Sequence, residues 1–565
     1  MIFTLRYTRV WSHLLSLYVL AWQLPRGVFS CTPADRSVLS SFSDSLDAGI
    51  AVWPGGVVNS SSDCCRWPGV RCRRLSAASE SELRVVHLDL AGRGLAGSLR
   101  VQGGGSLARL DKLSFLNLSR NSLHGPIPPE LLLRMPRLRV LDLSHNFFSG
   151  QLADMAAPAP AGAFESGYPK SKLAHLDVSL NSLTGLHDGV CRGLPRLRSF
   201  SAESNLLAGT VPRSLSSCSG LEYLNMDNNS LHGALGDLNF TRLSRLRALH
   251  LGWNQLRGRI PESLSSCRHL RVVNLRRNFL SGPVPSAFRH LQSLAFFNVG
   301  NNSITGIAHA LRVLQECRAL AVKILTMNFH GEEMPGGPGM IDAGAGGIRG
   351  FPRLQLLGMA ACALRGAVPQ WLRASARLSV LDHLSWNRLT GAVLYRIDLS
   401  NELTGDIPLS ITRMKSLVAA DDMSASQASL SDYGVRLYNW HVDCGELWYD
   451  GNIPASLDLS QNSLAGTIPP EIGDLRELNI LNLSWNALSG PIPATLASLA
   501  SLQALELSHN ELAGEIPASL AGLTFLSSFD VSHNRLRGVI PNLSQFSTFP
   551  CSSFAGNPGL HGEYC

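Results

Sequence analysis

Charged residues are scarce in this sequence, whereas glycine and proline are abundant. Asp, Glu, Lys and Arg make up only 16% of the 565 residues, which include 51 Gly and 30 Pro. This composition is unusual for a set of compact domains, and the length is several times that of a typical domain. A stack of structural repeats escapes the usual size limit because each repeat contacts only its neighbours.

The short motifs that mark enzymes are missing from the sequence. It contains no nucleophile elbow, no phosphate-binding Gly-Lys-Ser/Thr, no zinc-binding HExxH and no kinase catalytic signature. His441 and Cys444 are three residues apart, which is more often a coincidence than a metal site. We therefore predict a protein that is not an enzyme and that holds no metal or cofactor.

Blocks of basic residues are missing too, although the formal net charge is +7. Without a Lys/Arg run or an aromatic-basic pattern, we predict no nucleic-acid partner. A mildly basic, arginine-rich surface is better suited to anionic ligands or to a cell wall.

Long apolar runs are absent after the amino terminus. Arg6 and Arg9 precede an apolar run from Leu14 to Trp22, and small residues stand before Cys31, so residues 1–30 are predicted to be a cleaved signal peptide. No later stretch approaches about 18–20 uninterrupted apolar residues, so we expect a secreted chain without a membrane anchor. Seven sequons predict N-linked glycans: Asn59, Asn117, Asn228, Asn239, Asn301, Asn482 and Asn542.

A repeated motif, Leu-x-Leu-x-x-Asn-x-Leu-x-Gly-x-Ile-Pro, fills most of the chain. In the copy from Leu141 to Asn146, alternating leucines should face a core while the polar residues between them face outward. The Asn should turn inward and satisfy backbone groups of adjoining coils. Its positions are often 24 or 25 residues apart: Asn121, Asn146, Asn181, Asn205, Asn229, Asn254, Asn278, Asn302, Asn328, Asn387, Asn462, Asn486, Asn510 and Asn534.

These repeats predict an α/β repeat solenoid: a curved, right-handed superhelical array with a parallel sheet on its concave face, capped at both ends and interrupted by an island. The predicted boundaries are a signal peptide (1–30), an N-terminal cap (31–82), repeats (83–417), an island (418–454), repeats (455–540) and a C-terminal cap (541–565).

The consensus is similar to that of plant extracellular leucine-rich repeats, and Cys31 with residues 63–72 resembles their N-terminal cap. Residues 325–333, 384–391 and 545–549 resemble the phytosulfokine receptor kinases. The resemblance implies the disulfides Cys31–Cys64 and Cys65–Cys72.

The remaining cysteines are interpreted from their positions. We expect Cys551 and Cys565 to close the C-terminal cap. Three cysteines hold the same position in the repeat and are two coils apart: Cys218, Cys267 and Cys317. Successive members should be ~10 Å apart, which is beyond the reach of a disulfide. We predict that they are buried free thiols.

The island lies in the interval between Asn401 and Asn462, which is far longer than one coil. Residues 433–442 are rich in aromatic and β-branched types and could form an edge strand. In the receptors that this chain resembles, a comparable island lies on the concave face and pairs with a sulfated peptide. Here the island is shorter, and Asn387 lies only 14 residues before Asn401. Either the array is distorted there, or the gene is degenerate or wrongly spliced.

Candidate ligand-binding residues lie at display positions of the strands and in the island. An arginine fork suits a sulfate oxyanion, although Arg276 needs no ligand as a solvated charge. Trp386 is equally explained by packing, since Trp253 and Trp485 hold the same position, and the sulfate-facing Arg of the family falls on Asp227. The candidates are Asn274, Arg276, Thr326, Ser385, Trp386, Arg436, Tyr438 and Trp440.

Three functions remain open. The first is the ectodomain of a receptor-like protein in the apoplast or at the cell surface. It would bind a short peptide, with or without a sulfated tyrosine, together with a co-receptor kinase that has a small leucine-rich-repeat ectodomain. The second is a secreted inhibitor of a pathogen cell-wall enzyme. The third is a non-functional, truncated receptor kinase.

Overall fold

The computed structural model describes most of the chain beyond residue 29. The described residues are 30–47, 52–53, 63–74, 82–99, 106–152, 171–335, 347–367, 369, 371–372, 380–383, 387–390, 403–407, 409, 438–439, 447–448, 456–541 and 544–562. They form two compact units, one made chiefly of residues 1–231 and the other chiefly of residues 232–565. Both units are built from the same repeated coil.

Each coil begins with a short strand whose middle residue is buried. In the coil that ends at Asn146, the strand is Val140–Asp142, its Leu141 is fully buried and its two ends are half-buried. Successive strand residues point to opposite faces, so the leucines reach the core and the ends of the strand face away from it. We call these ends, with Ser144, the display positions, and we name each coil by its ladder Asn.

The first unit has one main sheet of strands that pair in parallel and in register. Its strands are Ser30–Cys31, Glu82–Asp89, Phe115–Asn117, Val140–Asp142, His175–Asp177, Ser199–Ser201 and Tyr223–Asn225. The cap strand Val70–Arg73 pairs antiparallel with Glu82–Asp89. A second row of strands follows the ladder residues: Ala96–Ser98, Ser122–Gly125, Phe147–Leu152, Ser182–Leu186 and Ala208–Thr210.

The second unit repeats this arrangement. One parallel sheet contains Ala248–His250, Val272–Asn274, Phe296–Asn298, Val322–Ile324, Leu356–Gly358 and Val380–His383. Another contains Ser456–Asp458, Ile480–Asn482, Ala504–Glu506 and Ser528–Asp530. The second-row strands are Ser230–Ala234, Gln255–Gly258, Phe279–Gly282, Ser303–Ile304, Arg365–Ala367, Arg388–Thr390, Thr404–Asp406, Ser463–Ala465, Ser489–Gly490, Glu511–Gly514, Arg535–Val539 and Gly559–His561. In the island, Tyr438–Asn439 pairs antiparallel with Leu447–Trp448.

Helices are few and short in the described residues. The α-helices are Pro33–Asp44, Pro129–Leu133, Val190–Gly193 and Ile307–Leu314. Single 3₁₀ turns close most other coils: Cys64–Arg66, Leu107–Arg109, Arg213–Ser217, Leu235–Asp237, Phe240–Arg242, Glu262–Ser266, Ser286–His290, Pro470–Asp474, Ala494–Ser498, Ala518–Gly522, Ser544–Thr548 and Cys551–Phe554. None of the described helices is long and apolar enough to cross a membrane.

The ladder Asn joins most described coils to the one before them, as the sequence predicts, while Cys362 Sγ takes this place against Leu325 O at 3.6 Å. The Asn146 Nδ2 donates to Leu118 O of the preceding coil at 3.0 Å and to Leu143 O of its own coil at 3.1 Å, while Oδ1 accepts from Leu123 N at 3.0 Å. One amide thus satisfies several buried backbone groups at once. The same bond to the preceding coil is made at Asn121, Asn181, Asn205, Asn229, Asn278, Asn302, Asn328, Asn387, Asn486, Asn510, Asn534 and Asn557.

The ladder also shows which coils are neighbours around the island. Asn462 Oδ1 accepts from Leu403 N at 3.2 Å, and Thr404–Asp406 pairs in parallel with Ser463–Ala465. The two coils are therefore adjacent, although 59 residues separate the bonded groups. Asn401, where the sequence suggests a clipped coil, lies outside the described residues.

The cap disulfides Cys31–Cys64 and Cys65–Cys72 are confirmed. Cys551 is disulfide-bonded, while Cys565 lies outside the described residues.

The prediction of a free Cys218 is wrong. Cys218 bonds to Cys191, and their Cα atoms are 5.3 Å apart. The sequence comparison considered cysteines two coils apart, but Cys191 lies in the adjacent coil, within disulfide reach. Cys267 and Cys317 are buried free thiols, as predicted.

Lys323 breaks the repeat pattern because it occupies a core position. It lies opposite Phe297 in the sheet and is fully buried. Its Nζ lies 3.3 Å from the ring centroid of Phe351 and 5.6 Å from that of Trp371, and it has no hydrogen-bond partner among the described groups. Burial lowers the pKa of Lys323 well below its ordinary value, because the charged amine loses its hydration.

This burial predicts that Lys323→Met stabilises the second unit. The folded chain binds its Lys323 proton less readily than the unfolded chain, so wild-type stability falls as the pH drops below the ordinary lysine pKa of about 10.5. We expect the melting midpoint at pH 7 to rise by about 2 °C or more in the variant. The gain should shrink as the pH rises through about 10.5, above which both states carry a neutral amine.

Thermal unfolding followed by circular dichroism at several pH values measures this effect. Lys172→Met, at an exposed lysine, is the control and should melt like the wild type. A gain that does not depend on pH, or a loss of stability, would contradict the burial argument.

Candidate functional site

The candidate site is a run of display positions on four neighbouring coils of the second unit, which we call the central face. The strands of these coils pair in parallel and in register. The first display row is apolar and consists of Ala248, Val272, Phe296 and Val322. The second row is richer in hydrogen-bonding groups and consists of His250, Asn274, Asn298 and Ile324. Such a strip combines pockets for apolar side chains with amides for a peptide backbone.

The two rows are withdrawn from solvent. None of their eight side chains is more than 9% exposed, and His250 and Phe296 are fully buried. Burial lowers the pKa of His250 to about 4, so its imidazole is neutral near pH 7.

Two arginines pack on one tryptophan at the edge of the central face. The Cζ atoms of Arg276 and Arg277 lie 5.5 Å and 3.8 Å from the ring centroid of Trp253. Trp253 and Arg277 each precede a ladder Asn and adopt the left-handed conformation, with φ of 53° and 50°. Guanidinium groups bind aromatic faces and still present N–H groups to an anion. The arrangement therefore holds two positive charges at one edge of the strip.

Glycines on both sides make room for these groups. A Cβ at Gly252 would lie 3.1 Å from Arg276 Cγ and 3.3 Å from Asn274 Nδ2. A Cβ at Gly300 would lie 2.6 Å from Thr326 Oγ1. Most other coils carry serine at this position. The glycines thus allow the larger display residues of alternate coils to lie close to the sheet.

The main sheet of the first unit has the opposite charge. Asp142 and Asp177 pair in register on neighbouring strands. Burial, and then the nearby Asp142, raise the pKa of Asp177 to about 7. Glu203 and Asp227 hold display positions of the later coils. Anions should therefore avoid this sheet and favour the central face.

Leucine-rich-repeat families match much of the chain. The leucine-rich-repeat N-terminal domain matches residues 32–73, and a leucine-rich-repeat family matches residues 171–231. Seven further repeat matches cover residues 112–132, 137–156, 245–267, 269–291, 455–475, 477–499 and 501–523.

Two curated relatives come from the plant Arabidopsis thaliana. Phytosulfokine receptor 1 of Arabidopsis thaliana is 35% identical over 457 residues, which cover 63% of this chain and 42% of that receptor. Receptor-like protein 3 of the same plant is 30% identical over 205 residues, covering 34% of this chain and 26% of that protein. This chain is a plant-type leucine-rich-repeat protein, similar to the phytosulfokine receptors.

The match leaves out more than half of each relative. One solved structure that resembles the chain is the ectodomain of the Arabidopsis receptor kinase HAESA in complex with an extended IDA peptide hormone. It is 24% identical, with a TM-score of 0.48, and the match covers 94% of this chain and 98% of that one.

The leucine-rich-repeat array brings three of the predicted site residues together. Asn274, Arg276 and Thr326 lie on the central face or at its edge, within three neighbouring coils. Tyr438 lies in the two-residue island strand. The other four lie outside the described residues: Ser385, Trp386, Arg436 and Trp440.

Sequence reasoning missed two parts of the site. Arg277 is absent from the predicted contacts, although its guanidinium lies on Trp253. The position before each ladder Asn could have pointed to it. The residue at this position has a left-handed backbone in the described coils from Arg120 to His533. The two glycines were missed because a repeat consensus records what a position usually holds and gives no distance to the next coil.

Metal binding gains no support from the geometry. Among the described residues, one group of three potential ligands lies close enough to share an ion, namely Cys31, Cys64 and Cys65. All three sulfurs are in disulfides, which removes them as thiolate ligands.

The sequons occupy two kinds of position. Asn228, Asn239 and Asn301 are exposed, whereas Asn117 and Asn482 are half-buried in strands of the main sheets. The other two lie outside the described residues. Asn301 precedes a ladder Asn, as Trp253 and Arg277 do in the two preceding coils, so a glycan there would lie at the same edge of the sheet as the arginine pair.

The acidic sheet predicts that Asp177→Asn stabilises the first unit at high pH. The pKa of Asp177 is higher in the folded chain than in the unfolded chain. Its contribution to the free energy of unfolding is therefore retained at low pH and lost as the pH rises from about 4 to about 7. The Asn side chain can still accept the Ser179 N–H bond. We expect the variant to exceed the wild type in free energy of unfolding by on the order of 1–2 kcal/mol at pH 8 and by almost nothing at pH 4.

Denaturant unfolding at the two pH values measures this gain. Asp44→Asn, at an exposed position of the cap helix, should change neither curve. Equal effects of Asp177→Asn at both pH values would show that charge repulsion is not the cause.

Proposed function

We propose that this chain is the ligand-binding ectodomain of a plant receptor-like protein and recognises a short anionic peptide on the central face. The observation that carries this proposal is the arginine pair on Trp253, which lies beside an amide row and an apolar row. No other described strip combines these three features.

An extended peptide would fit the strip by its backbone and its side chains. The amides of Asn274 and Asn298 lie on adjacent strands in register, so they can bond successive groups of an extended backbone. The apolar row beside them can receive alternate side chains. The arginines at the edge would then take an acidic or sulfated side chain.

A tyrosine-sulfated peptide is the specific ligand that we propose. The relative phytosulfokine receptor 1 is named for such a ligand, and a sulfate needs several N–H donors, which two guanidinium groups supply. The island strand Tyr438–Asn439 is a candidate edge for strand addition. Signalling would require a co-receptor kinase with a small leucine-rich-repeat ectodomain.

An extracellular location is part of the proposal. Three disulfides among described cysteines suit an oxidising compartment. The signal-like residues 1–30 would direct the chain there.

Calorimetric titration of the mature chain, from Cys31 onward, tests this function. We expect phytosulfokine to bind at least tenfold more tightly than its unsulfated form, because the arginines lose their anion partner. Arg276→Gln should remove most of this preference. Gly252→Ser should weaken binding of both peptides, since the added side chain pushes against Arg276.

Arg289→Gln is the matched control, because Arg289 is exposed in the 3₁₀ turn of the same coil, away from its strand. Its binding should equal that of the wild type. Equal heats with both peptides, or no heat with either, would reject the sulfated ligand. Inhibition of a microbial cell-wall hydrolase by a chain that binds neither peptide would support the inhibitor reading instead.

A further inference from the structure

Three aromatic rings stack along one edge of the main sheet in the last coils. The centroids of Trp485 and His509 are 3.6 Å apart with planes at 11°, and those of His509 and His533 are 4.3 Å apart with planes at 32°. Each ring precedes a ladder Asn and has a left-handed backbone, with φ of 58°, 56° and 53°. We call these three residues the ring ladder.

The ring ladder faces solvent. Trp485 is 55% exposed, His533 is exposed and His509 is half-buried. Gly556 holds the equivalent position in the next coil, where a Cβ would lie 2.6 Å from His533 Nδ1. The last ring of the ladder therefore packs against the backbone of the C-terminal cap at Gly556. Most equivalent positions in the first unit hold polar residues such as Arg120 and Ser204, so a stack of exposed rings calls for a specific explanation.

Carboxylates occupy one display row of the same coils, two positions before the serine row Ser484, Ser508 and Ser532 that adjoins the ring ladder. Asp458, Asn482, Glu506 and Asp530 lie in register on four parallel strands. Glu506 accepts from Ser528 Oγ at 2.6 Å and Asp530 accepts from Ser532 N at 2.8 Å. No described Lys or Arg forms an ion pair with Glu506 or Asp530. The row thus carries negative charge that neutral donors only partly satisfy.

Neighbouring carboxylates add to the effect of burial on Glu506. Burial raises the pKa of Glu506, and the charges of Asp530 and Asp458 raise it further. Burial, and then His533, lower the pKa of His509, so this ring stays neutral at neutral pH. A cation on this surface would relieve the repulsion without meeting a positive charge on His509.

We propose that the ring ladder and the adjoining carboxylates form a second binding surface, specific for an arginine-bearing segment of a partner protein. The guanidinium would lie over the Trp485 indole and donate to the Glu506 carboxylate. Arg suits both contacts because its planar cation stacks on aromatic faces and pairs with carboxylates through two N–H groups. A Lys ammonium is more strongly hydrated and offers no planar face, so it should bind less well.

This surface is independent of the peptide ligand proposed above. None of its residues lies on the central face, so either proposal can fail without the other. The carboxylate row would repel an anionic ligand. The two surfaces therefore favour ligands of opposite charge.

Calorimetric titration of the mature chain with short, blocked peptides tests the inference. The probe is acetyl-Gly-Arg-Gly-Arg-Gly-amide, and the comparison peptides carry Lys or Gln in place of Arg. We expect the Arg peptide to bind, the Lys peptide to bind severalfold more weakly and the Gln peptide to give no heat. Trp485→Ala and Glu506→Gln should each weaken the Arg peptide about fivefold.

Two further variants keep the test decisive. Phe525→Ala removes an aromatic residue of the same unit that is 67% exposed and lies outside the ladder, and it should bind like the wild type. Trp485→Phe keeps a ring and should recover part of the affinity if Trp485→Ala folds poorly. Equal binding of the Arg and Gln peptides, or an unchanged affinity in Trp485→Ala and Glu506→Gln, would overturn the proposal. Binding of a neutral oligosaccharide that depends on Trp485, without binding of the Arg peptide, would also overturn it.

Discussion

The structure depends on the inward-facing ladder Asn. Each coil is an irregular loop apart from its short strands, so its buried N–H and C=O groups need partners that a helix or a wide sheet would otherwise supply. The amide of Asn278 bonds Leu251 O of the preceding coil at 2.9 Å and Leu275 O of its own coil at 3.1 Å, while its oxygen accepts from Leu256 N at 2.9 Å. One side chain therefore fixes both the shape of a coil and its distance from the next.

Because the ladder and the leucines hold the coils together, the display positions are free to vary. In the first unit they carry carboxylates such as Asp142 and Asp177, whereas the central face has amides, an apolar row and two arginines. The last coils combine carboxylates with a stack of rings. Function in such an array is a matter of which side chains stand in register on neighbouring strands, since the backbone beneath them is nearly constant.

Much of the fold was predictable from sequence, because the strand alternation and the Asn spacing repeat many times. The site was predictable only where the alternation of side chains along a strand decides which residues face outward, as for Asn274 and Arg276. Three features were not predictable: the packing of Arg276 and Arg277 on Trp253, the bond between Cys191 and Cys218, and Lys323 in the core. The first two depend on distances between adjacent coils. The third is a single exception, and a consensus records only the residue that a position usually holds.

Hydrogen exchange of the mature chain, measured by mass spectrometry with and without phytosulfokine, tests the central claim most directly. If the central face is the ligand site, protection should concentrate in the strands Ala248–His250, Val272–Asn274 and Phe296–Asn298. The acidic sheet of the first unit should exchange as before. Protection confined to the first unit, or no change in the central strands under saturating peptide, would contradict the account.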